Sequence, residues 1–311
     1  MITVFGSTNL DQIGTVSRLP KPGETVAGGT FSMAAGGKGA NQALAARRAG
    51  ASVRHVSGVG SDAFADLALA LLKADGVDLS AMKVVEGATG IAMIFVDSQG
   101  ENVIAILPGA NGAMTAADAD AALKGLSGGV MLVQQEIPQA ATERALDLAR
   151  AQGIIAILNT APFLDSTAAL APKAAILIAN ETEFALLTAS GSGLTASGSG
   201  LTGRGIAELD AAMGDWAARH NQTVIVTLGG DGARAVTATG QLISVPALPI
   251  KPVDTVGAGD TFCGYLAAGL DAGLDLESAM KRAAVAASLA CLKPGAQPAI
   301  PTAAEVEQAM K

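Results

Sequence analysis

The chain alternates short, unbroken apolar runs with longer stretches in which apolar residues return every three or four positions. Residues 2–6 and 53–58, and the apolar runs at 129–134, 154–158, 175–179 and 223–228, read as strands. Stretches at 40–49, 63–75, 138–152, 181–188 and 204–220 read as amphipathic helices. A strand that is apolar along its whole length is covered on both faces, and a strand–helix–strand rhythm is that of crossover connections. The pattern therefore predicts an α/β fold with a mostly parallel central sheet between layers of helix. The end of the chain reads as helical (259–273, 276–292, 302–310), broken by Lys-Pro-Gly-Ala-Gln-Pro at 293–298.

Two regions break the rhythm. Residues 90–97 and 102–107 are apolar strands joined by Ser98-Gln99-Gly100-Glu101, a hairpin signal. Residues 24–35 read as extended and exposed, and residues 6–11 (Gly-Ser-Thr-Asn-Leu-Asp) as a loop. The extended segments are antiparallel-type elements that could form a small sheet standing off the main body. A tandem repeat, Ala-Ser-Gly-Ser-Gly-Leu-Thr, occupies 189–195 and again 196–202. With so little to bury, it is expected to be a flexible surface loop.

Composition narrows the function. At 311 residues, half of them hydrophobic and 15% charged, the chain suits one large α/β domain with an appendage. Seven Phe, one Tyr and one Trp are too few for base-stacking platforms, and a net charge of −8 without a basic run argues against a nucleic-acid partner. No apolar run reaches the ~18 residues of a membrane span, and the N-terminus opens directly on a strand rather than on a signal peptide. Cys263 and Cys291 stand apart without metal or redox spacing, as buried thiols in a reducing compartment would. A cytoplasmic location is expected. Neither His55 nor His220 neighbours a Ser or Cys arrangement that suggests a triad, so a catalytic base is expected to be a carboxylate.

Several glycine motifs need weighing. Gly58-Val59-Gly60-Ser61-Asp62-Ala63 has dinucleotide-turn spacing but does not sit in the first strand-to-helix turn, and a tight turn explains it better. Gly36-Gly37-Lys38-Gly39 continues as Ala40-Asn41, which excludes a P-loop. Asn9, Asp11 and Asn41 sit at loop junctions, where amides and a carboxylate suit the vicinal hydroxyls of a polyol. Glu136 follows the strand 129–134, at the edge where open α/β sheets bind ligands. Asn180 and Glu183, three apart after another strand, fit either a helix cap or water-mediated Mg²⁺ binding. Thr227-Leu228-Gly229-Gly230-Asp231-Gly232 is either a hairpin turn or a glycine-rich turn that lets a flat ring or a phosphate come close.

The most informative stretch is Asp254-Thr255-Val256-Gly257-Ala258-Gly259-Asp260, which opens a helix. Gly257, Ala258 and Gly259 leave backbone N–H groups bare at a helix N-terminus, an anion site. A carboxylate beside an anion site repels the anion, unless Asp260 takes a proton from a nucleophile that attacks a phosphate held there.

Taken together, these motifs resemble the PfkB-type carbohydrate kinases nearly end to end. The resemblance rests on residues 6–11, Pro-Gly-Glu-Thr (22–25), Gly-Gly-Lys-Gly-Ala-Asn-Gln (36–42), Gly-Glu-Asn-Val-Ile (100–104), Glu136, Asn-Glu-Thr-Glu (180–183), Asp-Thr-Val-Gly-Ala-Gly-Asp-Thr-Phe (254–262) and Gly-Ala-Gln-Pro (295–298). The wording at 36–42 and 295–298 points within the family to its ribokinase branch. The resemblance implies a three-layer Rossmann-like domain spanning 1–311, with a small antiparallel β-sheet lid, strands within about 12–36 and 89–108, that also forms a homodimer contact.

It implies ATP-dependent phosphorylation of D-ribose at O5, with Asp260 as general base and Gly257, Ala258 and Gly259 around the moving phosphoryl group. Asn9, Asp11, Gly37, Lys38, Asn41, Glu136 and Asp260 would line the sugar site. Asn180, Glu183, Thr227, Leu228, Gly229, Gly230, Asp231, Gly232, Gly259 and Ala284 would serve the nucleotide, with Mg²⁺ bound to Glu183 through water. Asp254, Val256, Ala290, Lys293, Gly295 and Ala299 match the K⁺ site of relatives, several through backbone carbonyls.

The chain departs from the family pattern at Ala299, often serine, and at Ala284, where relatives place His or Asn against adenine. Pro294 after Lys293 alters the cation loop. Other readings are a kinase for deoxyribose, fructose, 2-keto-3-deoxygluconate or a nucleoside, a non-catalytic sugar sensor, and an NAD-dependent enzyme.

Overall fold

The computed structural model describes the backbone of residues 1–192 and 205–311, and side chains through 188 and from 205. In chain order the strands are β1 (Ile2–Phe5), β2 (Asn9–Thr15), β3 (Thr30–Gly36), β4 (Val53–Val56), β5 (Gly58–Gly60), β6 (Lys83–Val85), β7 (Gly90–Val96), β8 (Asn102–Leu107), β9 (Val130–Val133), β10 (Ile155–Asn159), β11 (Ile176–Asn180), β12 (Thr223–Thr227), β13 (Ala233–Val236) and β14 (Leu242–Val245). The helices are α1 (Lys38–Arg48), α2 (Phe64–Ala74), α3 (Ala116–Leu123), α4 (Gln139–Ala151), α5 (Thr167–Leu170), α6 (Glu181–Ser192), α7 (Ile206–His220), α8 (Ala258–Asp271), α9 (Leu276–Ala290) and α10 (Ala303–Ala309).

Eight strands form the main sheet in the order β14-β13-β12-β11-β10-β9-β1-β4. The pairs from β12 to β4 are all parallel, and only the β13 and β14 edge is antiparallel. Side chains alternate across the sheet, and both sides are covered. Ile2, Val4, Val130 and Leu132 pack with α1, α8 and α9. Phe5, Met131 and Val133 pack on the opposite face with α4 and α7. The parallel, helix-covered sheet expected from the apolar runs is therefore the one observed.

The parallel register aligns the strand ends. Phe5 lies opposite both Val56 and Val133, and Asn180 opposite Thr227. The residues following β1, β9, β11 and β12 thus collect along one edge.

A second, four-stranded sheet runs β3-β2-β7-β8. Its outer pairs are antiparallel, while β2 and β7 run parallel from Asn9 and Gly90. The segment read as a loop at 6–11 therefore already contains the start of β2. The extended reading of 24–35 narrows to β3, with no regular structure at 24–29. The helix α3 and the strands β13 and β14 were not anticipated. An alanine-rich helix has no clear polar face, although the Thr115–Asp118 capping box marks its start. The turn expected at Gly58–Gly60 is instead the short strand β5, paired with β6 and closely packed: a Cβ on Gly60 would fall 2.3 Å from Gly87 O. Of the 189–202 repeat, α6 covers the first four residues, and 193–202 lie outside the described residues.

Candidate active site

The site is built where α1 and α8 cross. A Cβ on Gly264 would lie 2.6 Å from Gln42 O and 2.5 Å from Ala45 Cβ, so glycine lets the two helix backbones touch. This contact sets α1 against the first turn of α8. Asp260, only 7% exposed, accepts Asn41 Nδ2 at 2.9 Å on Oδ2 and Gln42 Nε2 at 3.0 Å on Oδ1. Gln42 Oε1 in turn accepts Gln134 Nε2 at 2.6 Å.

Gly257 caps α8 in the left-handed conformation (φ 77°), with Ala296 2.9 Å from where its Cβ would be. The N–H groups of Gly259 and Asp260 donate to no protein atom among the described residues, whereas that of Ala258, expected bare, donates to Thr255 O at 3.3 Å. A Cβ on Gly259 would meet open space. Free amides under an open space, at the positive end of a helix of 14 residues, are suited to an oxyanion.

Beside this turn lies a polar cluster at the ends of β1 and β9. Glu136 Oε2 accepts Ser7 Oγ at 2.5 Å and Lys38 N at 3.0 Å. Gly37 (φ 87°) closes against Asn9 N, 2.7 Å from its missing Cβ. Asn9 is 2% exposed, and its Oδ1 accepts Asn111 Nδ2 at 2.7 Å, so the Asn9 amino group is its available donor. Gly36 leaves room for the Asp11 carboxylate, which lies 2.3 Å from the missing Cβ. Burial, then the charges of Glu136 and Asp260, push the Asp11 carboxyl up to about 7, and Lys38 only partly offsets them. Burial alone would lower the Lys38 ammonium, but Asp260, Glu136 and Glu183 outweigh it and hold its pKa above the usual value.

Two cavities meet at this point. One, of about 170 Å³, is lined by Lys38, Asn180, Glu183, Gly257, Asp260 and the buried Cys263, among others. The other, of about 300 Å³, is lined by Gly229, Gly230, Gly232, Ala284, Ala287 and Ser288, among others. Thr227 and Gly259 line both. Leu228 and Asp231 line neither cavity: Leu228 packs into the core and Asp231 is exposed. The turn at 227–232 does join antiparallel strands, so its hairpin reading and its place at the cavity both hold. The Asn180–Glu183 pair is a reciprocal cap: Glu183 N donates to Asn180 Oδ1 (2.8 Å) and Asn180 N to Glu183 Oε2 (3.0 Å). Thr160 Oγ1 gives Oε2 its second bond at 2.8 Å, while Oε1 takes none among the described residues.

Asp254 latches the loop before α8 to the loop after α9. Its Oδ1 accepts Val256 N at 3.0 Å and its Oδ2 Gly295 N at 2.8 Å. Ala290 and Ala299 are buried, while the Lys293 ammonium turns outward to Glu305 at 3.2 Å. Among the described residues no group of three or more His, Cys, Asp or Glu could hold a metal. A cation here would rest on the Asp254 carboxylate and backbone carbonyls, the oxygen donors that a hard monovalent ion takes.

Asn9, Asp11, Gly37, Lys38, Asn41, Glu136 and Asp260 are thus brought together; of the expected nucleotide residues, Asn180 and Glu183 share the smaller cavity with Lys38 and Asp260, while Gly229, Gly230, Gly232 and Ala284 line the larger one beyond Gly259. The sequence reading missed Ser7, Gln42, Asn111 and Gln134. Gln42 stood within the quoted motif, and Gln134 next to Glu136 at a strand end. His55 is wholly buried, pulled down to about 4 by that burial, and bonded to Thr8 Oγ1 at 2.9 Å, a structural role.

Residues 1–303 match the family model described as pfkB family carbohydrate kinase. The chain belongs to that family. It is 35% identical over 308 residues to the ribokinase of Bacillus subtilis, covering 99% of this chain and 98% of that one. It is 36% identical over 309 residues to the bifunctional ribokinase/ribose-5-phosphate isomerase A of Fructilactobacillus sanfranciscensis, covering 97% of this chain but spanning only 54%, about half, of that protein. The Arabidopsis thaliana ribokinase solved with ribose and ATP superposes with a TM-score of 0.84 at 29% identity, over 100% of this chain and 98% of that one.

Proposed function

We propose that this chain is an ATP-dependent ribose kinase that transfers the γ-phosphoryl group of ATP to O5 of D-ribose. The observation that carries the reading is Asp260, held by two amides in the first turn of α8, where the two cavities share Gly259. Asn9, Asp11, Lys38, Asn41 and Glu136 bind the sugar hydroxyls, with Gly37 letting the backbone close on them. Asp260 takes the O5 proton as O5 attacks phosphorus and ADP departs. The free amides of Gly259 and Asp260, at the Gly257–Ala258–Gly259 turn, bear the charge that grows on the phosphoryl oxygens. Thr227, Gly229, Gly230, Gly232 and Ala284 seat the nucleotide in the larger cavity.

Asn180 and the free oxygen of Glu183 suit Mg²⁺ held through water, which supplies charge neutralisation on the phosphates. Asp254, with carbonyls of Val256, Ala290, Lys293, Gly295 and Ala299, suits K⁺, which adds positive potential beside the amides. The small sheet acts as a lid over the sugar, and exposed apolar side chains on both of its faces, Phe31 and Met33 on one and Ile104 and Ile106 on the other, support a homodimer through the lid. No helix among the described residues is long and apolar enough to cross a membrane, in keeping with action in the cytoplasm.

The test is ADP release over a panel of ribose, deoxyribose, fructose and 2-keto-3-deoxygluconate, with K⁺, with Na⁺ and with neither. Ribose with K⁺ should give the highest kcat/KM. A higher value for another sugar replaces ribose, equal rates with and without K⁺ remove the cation, and no turnover with any sugar leaves a sensor.

A further inference from the structure

We infer that Gln42 is a positioning residue for the Asp260 carboxylate, and that Gln134 fixes which end of the Gln42 amide Asp260 meets. The inference rests on Asp260 being the base of the proposed reaction.

Gln42 and Gln134 are both wholly buried, where a polar side chain is costly unless its partners are in place. The two ends of an amide are equal in shape and opposite in hydrogen bonding. Nothing in the packing alone tells Gln42 which end to present. Its partners do: Gln134 Nε2 donates to Gln42 Oε1 at 2.6 Å, which leaves Gln42 Nε2 to face Asp260 Oδ1 at 3.0 Å. The same nitrogen also reaches Asn159 Oδ1 at 3.3 Å, a second acceptor that favours this orientation. A reversed amide would set oxygen against carboxylate oxygen.

Gln134 is itself confined at the end of β9. Its Oε1 fills the space left by the missing Cβ of Gly6, only 1.9 Å from that point, and takes no hydrogen bond among the described residues. With Asn41 on Oδ2 and Gln42 on Oδ1, the carboxylate is gripped at both oxygens. Its plane is fixed, and its remaining lone pairs are left for the incoming hydroxyl. Donors to a charged group are the strong class of hydrogen bond, so losing one should be felt in the rate. If Gln42 merely filled the core, its loss would lower stability and leave turnover intact.

The test compares Gln42→Met, Gln134→Met, Gln134→Glu and the double variant Gln42→Met/Gln134→Glu in kcat and in sugar KM. Gln42→Met should lower kcat roughly 10- to 100-fold while sugar KM moves less than about threefold. Gln134→Glu cannot donate to Gln42 Oε1 and accepts from Nε2 instead, turning the amide around. Its kcat should fall at least as far as that of Gln42→Met, although residue 134 does not touch Asp260. In the double variant the effect of Gln134→Glu should vanish, because no amide remains to be turned. Independent, multiplying losses would overturn the inference, as would an unchanged kcat with only a lower melting temperature.

If Gln134→Glu does not fold, Gln134→Met carries the test with a smaller loss that again vanishes on the Gln42→Met background. A readout free of turnover is the side-chain amide resonance of Gln42 in a ¹H–¹⁵N spectrum, assigned by its loss in Gln42→Met. It should shift in Asp260→Ala, and no shift overturns the inference. A chain that phosphorylates no sugar defeats the proposed reaction, and the spectrum still decides whether Gln42 holds Asp260.

Discussion

Asp11→Asn should stabilise the protein at alkaline pH while weakening its hold on sugar. Burial, Glu136 and Asp260 raise the Asp11 carboxyl from 3.8 to about 7. Because the folded value lies above the unfolded one, the folded protein takes up the proton more readily. The stability this contributes is complete below 3.8 and is lost as pH rises to about 7. Within that window each pH unit costs about 1.36 kcal/mol, so the step from about pH 5.5 to 7 removes about 2 kcal/mol, with little further change by about pH 8.5. Asp11 is partly exposed, and water in the cleft reduces this figure. For a chain of this length about 1 kcal/mol corresponds to ~2 °C in Tm. Asn carries no such charge. The assay is the Tm of the ligand-free wild type and variant at both pH values. The variant should gain on the wild type by up to ~4 °C between them, since groups common to both cancel in the difference. An equal gap at the two pH values, or a variant that loses ground at the higher one, would refute the reasoning. Ribose affinity should fall in the variant, as a carboxylate acceptor is replaced by an amide.

Gly259→Ala projects a methyl into open space that both cavities share, and Ala suits a helix better than Gly by ~1 kcal/mol. Its Tm should hold or rise while kcat falls at least about tenfold, as measured by calorimetry and ADP release. Gly264→Val forces a branched side chain against α1 atoms 2.5–2.7 Å from its Cβ and should destabilise by roughly 1–3 kcal/mol in urea unfolding. Phe31→Glu/Ile104→Lys should convert a dimer of the wild type to monomer in light scattering, and a monomeric wild type would contradict the lid contact.

The parallel sheet was legible because β1, β9, β10, β11 and β12 carry apolar residues on consecutive positions, hence on both faces, and a doubly covered sheet asks for that. The β13–β14 edge was not, since four-residue strands are too short to establish an alternating period. The parallel pairing of β2 with β7 joins Asn9 to Gly90, a long-range register that no local pattern encodes. In the site, residues whose chemistry faces the ligand stood out in glycine-rich motifs: Asp260, Lys38, Asn41. Those that act through a neighbour did not. Gln42, Gln134 and Asn111 are ordinary buried amides in sequence, and their meaning lies in hydrogen bonds spanning 92 to 218 positions. The Asn180–Glu183 spacing was compatible with a cap and with a metal site, and the fold uses it as a cap that still borders the cavity.

The most direct measurement is ³¹P NMR of D-ribose with ATP and Mg²⁺, run with the wild-type protein and with Asp260→Ala. The wild type should give ribose 5-phosphate and ADP in equal amounts, and the variant should be slower by about 10²–10⁴-fold or more while still binding ribose. No ribose phosphate from the wild type, or near-normal turnover in Asp260→Ala, would contradict the account.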